Sequence, residues 1–177
     1  MIRYPKAFKC RDGRVVAVRP LAPDDIDRLM TFFADLPEED RLHLRVDVTD
    51  RETVKQRISP PPHWSVLRLV ALAGDRVVAE ASIEHRTYGF ESHIGEIRLI
   101  VAADYRRTGL AHYLCRQILA HGITENLEKI EVHLMEDQPA VIRFFEKLDF
   151  VKNGILEGFV KDIHGKDHNL LVMSLRT

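Results

Sequence analysis

Leu99-Ile100-Val101-Ala102-Ala103-Asp104-Tyr105-Arg106-Arg107-Thr108-Gly109-Leu110-Ala111 reads as an apolar strand, a basic turn and the start of a helix. A strand that ends in a tight loop aims successive backbone N–H groups at one point, and the positive end of the following helix adds to the field there. Arg106 and Arg107 supply charge, Gly109 lets the backbone approach closely, and the small Ala111 keeps the first helical turn open. This layout suits a diphosphate. A merely basic surface turn would read the same way, so the surrounding chain has to decide between the two.

Upstream, Val15 to Arg19 reads as a first strand after the turn Arg11-Asp12-Gly13-Arg14. From Asp24 to Ala34 the period changes: Ile26, Leu29, Met30 and Phe33 recur at helical spacing, with Leu21 placed to staple the entry. Pro37-Glu38-Glu39-Asp40 opens a second helical stretch that Thr53 to Ile58 continues, until Pro60-Pro61-Pro62 stops it. Ser65 to Ala73 and Val77 to His85 form a hairpin about Gly74-Asp75, and Ile94 to Ala102 is the next strand. Downstream, the cradle helix runs from about Gly109 to His121 with Gly122 as its C-cap, and Lys129 to Met135 alternates like a strand. A helix then starts near Pro139 and carries Val141, Phe144, Phe145 and Leu148 on one face. Strands at Phe150 to Val160 and Asn169 to Leu175 close the chain, with Gly165 and Asp167 suited to the turn between them.

At 177 residues, 45% hydrophobic and 30% charged, the composition suits a single domain over residues 1–177 with a full core. Lys and Arg number 26 against 27 Asp and Glu, a formal net charge of -1 that argues against nucleic acid as the partner. Cys10 and Cys115 lie far apart without metal-binding spacing, and no apolar leader or span of about 20 residues is present. The expectation is a reduced, cytoplasmic protein with no membrane partner. His164 and His168 share a loop, but without a Cys partner or HExxH spacing no metal site is expected.

The spacing Arg106-x-x-Gly109-x-Ala111 resembles the acyl-CoA-binding signature of the GNAT family of N-acetyltransferases. The order strand, two helices, three strands, helix, strand, helix, two strands resembles that fold over nearly the whole chain. Phe144-Phe145-Glu146-Lys147-Leu148-Asp149-Phe150 is similar to the family's last helix segment, with departures. Gln138 stands where an Asn often touches the pantetheine arm, Phe145 where a Tyr is often the general acid, and Asp149 where Gly is usual. The resemblance implies an α+β (α/β) fold: a mixed, mostly antiparallel sheet of about seven strands, about four flanking helices, and two strands splayed at the acyl-CoA site. It implies acetyl-CoA as cosubstrate and an amine acceptor, protein or small molecule, and leaves a homodimer open. The acyl-CoA contacts carried over are Leu99, Ile100, Val101, Arg106, Arg107, Thr108, Gly109, Leu110, Ala111, Gln138 and Phe145.

An amine attacks a thioester only as the free base, and an unperturbed lysine titrates near 10.4, so a positioned carboxylate is useful. Glu96, on the strand leading into the cradle, is the candidate, and it matches the catalytic Glu of the subgroup resembling bacterial protein-lysine acetyltransferases. The bland reading pairs Glu96 with Arg98 on a wet face. Glu84 and His133 are reserve bases, Tyr88 and Tyr105 conceivable acids, and Trp64 a candidate wall of the acceptor groove. Within the resemblance, backbone N–H groups near Leu99 to Val101 bind the thioester oxygen and the pantetheine amides. The alternative to an enzyme is a non-catalytic acyl-CoA sensor, motivated by Phe145.

Overall fold

A computed structural model describes residues 4–177. It holds eight strands, β1 (Lys6–Lys9), β2 (Val15–Pro20), β3 (Trp64–Ala73), β4 (Arg76–Arg86), β5 (Ile94–Val101), β6 (Lys129–Met135), β7 (Val151–Lys161) and β8 (Asp167–Arg176). The α-helices are α1 (Ile26–Ala34), α2 (Glu38–Arg41), α3 (Arg51–Gln56), α4 (Leu110–Thr124) and α5 (Pro139–Glu146). All eight strands join one sheet in the order β1-β2-β3-β4-β5-β6-β8-β7. The additional strand relative to the expectation is β1, four residues too short and too charged to declare themselves by alternation. It is held by pairing with β2 from Lys6↔Val18 to Lys9↔Val15.

The second helical stretch is two helices, not one. α2 ends at Arg41, and α3 begins afresh where Asp50 accepts hydrogen bonds from the Glu52 and Thr53 N–H groups. Gly122 lies inside α4 rather than capping it. A Cβ there would come within 2.8 Å of Ile130 and 3.0 Å of Ile83, so this glycine lets the helix approach the sheet. Gly95 on β5 makes room in the same way for Leu127, in the turn after α4, which a Cβ would meet at 2.6 Å. Asp167, expected in the last turn, begins β8 instead.

Every strand pair is antiparallel except β5 and β6. Those two pair in parallel at Ile94↔Lys129, Gly95↔Ile130 and Glu96↔Glu131, and nowhere beyond. β5 continues to Val101 against β4, and β6 continues to Met135 against β8. The sheet therefore opens into a wedge that begins at Glu96, as the resemblance implied.

The two faces of the sheet differ sharply. One carries the apolar set Ile83, Ile97 and Ile130, all buried, under α4. The other carries Glu80, Ser82 and Glu84 on β4, opposite Ile100, Arg98 and Glu96 on β5. On this face Glu80 is 2% exposed and accepts from Arg57 Nη2 at 2.8 and 2.9 Å, with Arg68 Nη1 at 3.4 Å. Arg68 Nη2 then donates to Glu84 at 2.6 Å. Burial alone would raise the Glu84 pKa, but the charges of Arg68, then Arg98, outweigh it and hold the carboxyl below its ordinary value. A ladder of alternating charge thus runs under α1 and α3 toward the wedge.

Candidate active site

The wedge leaves one side of β5 without a strand partner past Glu96. Ala102 N–H donates to Val78 O at 2.9 Å, toward β4. Backbone groups alternate in direction along a strand, so those of Ile100 also face β4, while the N–H and C=O of Leu99 and Val101 face the opening. Of the three residues expected to bind the pantetheine arm, two present their backbone there and Ile100 does not. Val101 O accepts from Arg106 Nε at 3.3 Å, which agrees with this direction.

The turn after β5 is sharply wound. Arg107 takes φ 61°, left-handed for a residue with a side chain, and Gly109 takes φ 90° as the residue before α4. No side chain caps α4, so its first N–H groups stay available to a ligand. An uncapped helix N-terminus flanked by arginines has the free N–H groups and the positive field that favour an anion. The side chains divide unevenly. Thr108 Oγ1 donates to Tyr105 O at 2.7 Å and Leu110 is fully buried, so each has only backbone to offer. Arg106 pairs with Asp40 on α2.

One residue that the sequence reading missed joins this group. Arg11, on the β1–β2 turn, donates its N–H to Thr108 O at 2.9 Å, and its Nε would lie 3.5 Å from a Cβ on Gly109. It is a third cation beside the cradle. The signal was the basic turn Arg11-Asp12-Gly13-Arg14, read only as a strand boundary.

Glu96 sits where β5 and β6 part, 23% exposed. Arg45, from the segment between α2 and α3, places Nη1 2.7 Å from its Oε1. Arg98 Nε lies 3.7 Å and His133 Nδ1 3.9 Å from the same oxygen. The ion pair to Arg98 was foreseen, whereas Arg45 was not. Burial lowers the Arg45 pKa, against the pull of Glu96. Glu84, bound to Arg68, is 11% exposed, and His133 Nε2 lies 3.4 Å from Glu131. Among the described residues no cluster of His, Cys, Asp or Glu is arranged to hold a metal ion.

Other expected positions lie apart. Phe145 is 2% exposed, edge-on to Phe144 and Phe150 with ring centroids 5.1 Å away, and so turns into the core rather than the wedge. Gln138 precedes α5 at the end of β6, half-buried at the far lip of the wedge. Tyr105 is buried under the Arg14 guanidinium, 3.8 Å from its ring. Tyr88 is exposed on the β4–β5 loop against His63, and Trp64 opens β3 with Arg86 5.0 Å over its ring.

A sequence profile of the acetyltransferase (GNAT) family matches residues 26–150. The chain belongs to the GNAT family. Among solved structures, the GNAT domain of S. lividans PAT superposes with TM-score 0.79 at 16% identity, covering 98% of this chain and 97% of that one. An acetyltransferase of the GNAT family from Streptococcus pneumoniae gives 0.76 at 15% identity, covering 92% and 99%. A ribosomal-protein-alanine N-acetyltransferase from Brucella melitensis gives 0.74 at 20% identity, covering 90% and 99%. These likenesses establish the GNAT fold, with its open, mostly antiparallel sheet. No curated protein matches in sequence. No helix among the described residues is long and apolar enough to cross a membrane.

Proposed function

We propose that this GNAT protein is a single-domain N-acetyltransferase that moves an acetyl group from acetyl-CoA to a primary amine, with Glu96 as general base. One observation carries the reading: the parallel seam ends at Glu96, and the wedge opened there runs to an uncapped helix end ringed by Arg106, Arg107 and Arg11. The diphosphate takes the N–H groups of Thr108 to Ala111 with these arginines. The pantetheine arm lies along β5 against the backbone of Leu99 and Val101, with Gln138 on the opposite lip. The amine nitrogen forms its bond to the acyl carbon as the carbon–sulfur bond breaks. Its proton passes to Glu96, directly or through water, and the thiolate takes a proton from solvent. A strand N–H facing the wedge binds the developing negative charge on the thioester oxygen. No hydroxyl stands at Phe145 to act as acid, and a thiolate leaves without one. The acceptor is a protein amine, as in the protein-lysine acetyltransferase-like subgroup, or a small molecule; a cytoplasmic setting fits both.

The experiment is a screen of amine acceptors that follows free thiol release, paired with calorimetry of acetyl-CoA binding. Glu96→Gln is expected to lower turnover by about 100-fold near neutral pH with acetyl-CoA affinity unchanged, and rising pH restores part of it. Full turnover in this variant across the pH range removes Glu96 from the mechanism. The second reading, an acyl-CoA sensor, draws on Arg45 seated 2.7 Å from Glu96. Tight acetyl-CoA binding with no thiol release for any amine supports it.

A further inference from the structure

Residues 38–45 meet the rest of the molecule through charge. Glu38 Oε1 lies 3.0 Å from His164 Nε2 on the β7–β8 hairpin, and Asp40 pairs with Arg106 at the cradle. His43 Nε2 lies 3.4 Å from Asp137 ahead of α5, and Arg45 reaches Glu96 on β5. Four side chains of one short segment therefore bind four separate parts of the fold, spanning the wedge from side to side. Firm apolar anchorage lies outside the segment, at Leu36 and Val48, both buried. Within it only Leu44 packs against the core, and only partly.

Two of the four partners are the groups that the proposed chemistry needs. Arg45 holds a cation on Glu96 in the position an acceptor ammonium would take. Arg106 is committed to Asp40 through Nη2 and to Val101 O through Nε, and both contacts compete with acetyl-CoA. A diphosphate offers Arg106 more negative charge and more acceptor oxygens than one carboxylate does, so it wins that competition. We propose that residues 38–45 are an autoinhibitory strap, with Arg45 as an internal stand-in for the acceptor amine, and that a diphosphate at the cradle unlatches the strap by drawing Arg106 off Asp40. The inference rests on the acyl-CoA site proposed above.

Trypsin reads the strap directly, because the bonds after Arg41 and Arg45 lie within it. Saturating coenzyme A is expected to speed cleavage at these two bonds severalfold, opposite to the general protection a bound ligand gives a fold. Asp40→Asn is expected to cut fast without coenzyme A and to bind it about two- to fivefold more tightly, the size of a partly exposed ion pair. Glu39→Gln removes the same charge one residue away, where no partner is found among the described residues, and is expected to change neither property. Arg45→Gln frees the bond after Arg41 in the same way as Asp40→Asn. Coenzyme A that binds in calorimetry but slows or leaves unchanged the cleavage overturns the strap, as does identical behaviour of Asp40→Asn and Glu39→Gln. Failure of coenzyme A to bind at all overturns the proposed function, and the strap with it.

Discussion

Replacing Glu80 by Gln removes one negative charge from the most enclosed part of the protein. The carboxylate is 2% exposed, and the side chains of its partners Arg57 and Arg68 are each 9% exposed. Arg68 keeps Glu84 at 2.6 Å, but Arg57 loses the carboxylate that accepts three of its hydrogen bonds, at 2.8, 2.9 and 3.2 Å. What remains near Arg57 is the Phe33 ring 5.5 Å away and the Glu84 charge already bound to Arg68, both weak substitutes. Stranding a buried charge in this way costs about 3–5 kcal/mol. For a chain of this size each kcal/mol moves Tm by about 2–4 °C, so the variant should melt about 6–20 °C lower. Circular dichroism on heating, with urea titration for the free energy, measures both. The double variant Glu80→Leu, Arg57→Met removes charge and counter-charge together and should regain most of the loss, because neither ion then needs desolvating. A single variant within about 1 kcal/mol of the parent refutes the argument, as does a double variant no more stable than the single one.

Gly109→Val places a β-branched residue at φ 90°, where even an unbranched side chain costs about 1–2 kcal/mol, and should raise the acetyl-CoA Kd about tenfold or more by calorimetry. Gly109→Ala should do less, since its Cβ finds Arg11 and Phe8 no nearer than 3.5 Å. Phe145→Ala should cost about 3–5 kcal/mol in urea unfolding, as for any large side chain packed among aromatic neighbours. Phe145→Tyr should give no gain in thiol release at high pH, because the ring edge meets Phe144 and Phe150 rather than the wedge. Asp162 is held at about 2, chiefly by the hydrogen bond from His168, with the N–H groups of Lys166 and His164 adding to it. Its folded pKa is depressed, so its contribution is present above about pH 4 and is lost as pH falls toward 2; proteolysis of the β7–β8 hairpin by an acid protease across that window should quicken accordingly. An unchanged rate between these limits would separate Asp162 from hairpin order.

The parts of the fold legible in the sequence were those with a strong period or an obligatory residue. Ile26 to Phe33 spelled α1, Gly109 marked the tight turn ahead of α4, and the departure of β5 from β6 followed from the resemblance carried by Arg106 to Ala111. Alternation misled on β4. Glu80 and Ser82 alternate with apolar residues, a pattern that by itself suits a solvated face, yet both are buried, because Arg57 and Arg68 come from elsewhere in the chain to neutralise that face. Arg45 and Arg11 escaped for a related reason: each sits in a loop with no period of its own, and their roles exist only once distant segments meet. Gly122 reads as a helix stop by composition, whereas the closeness of Ile83 and Ile130 is what demands a glycine there.

The seam at Glu96 also has a dynamic signature. A strand in the middle of a sheet normally protects all its amides from solvent hydrogen, yet β5 past Glu96 is paired on one side alone. Its exchange should alternate residue by residue, slow at Ile100 and fast at Leu99 and Val101. That stripe should fall silent once an amide-bearing ligand lies in the wedge as an added strand. An interior strand with the hydrogen-bonding freedom of an edge is an opening for misfolded chains to pair, and here that freedom is confined to the short stretch of β5 past Glu96, with β4 still paired along its other side.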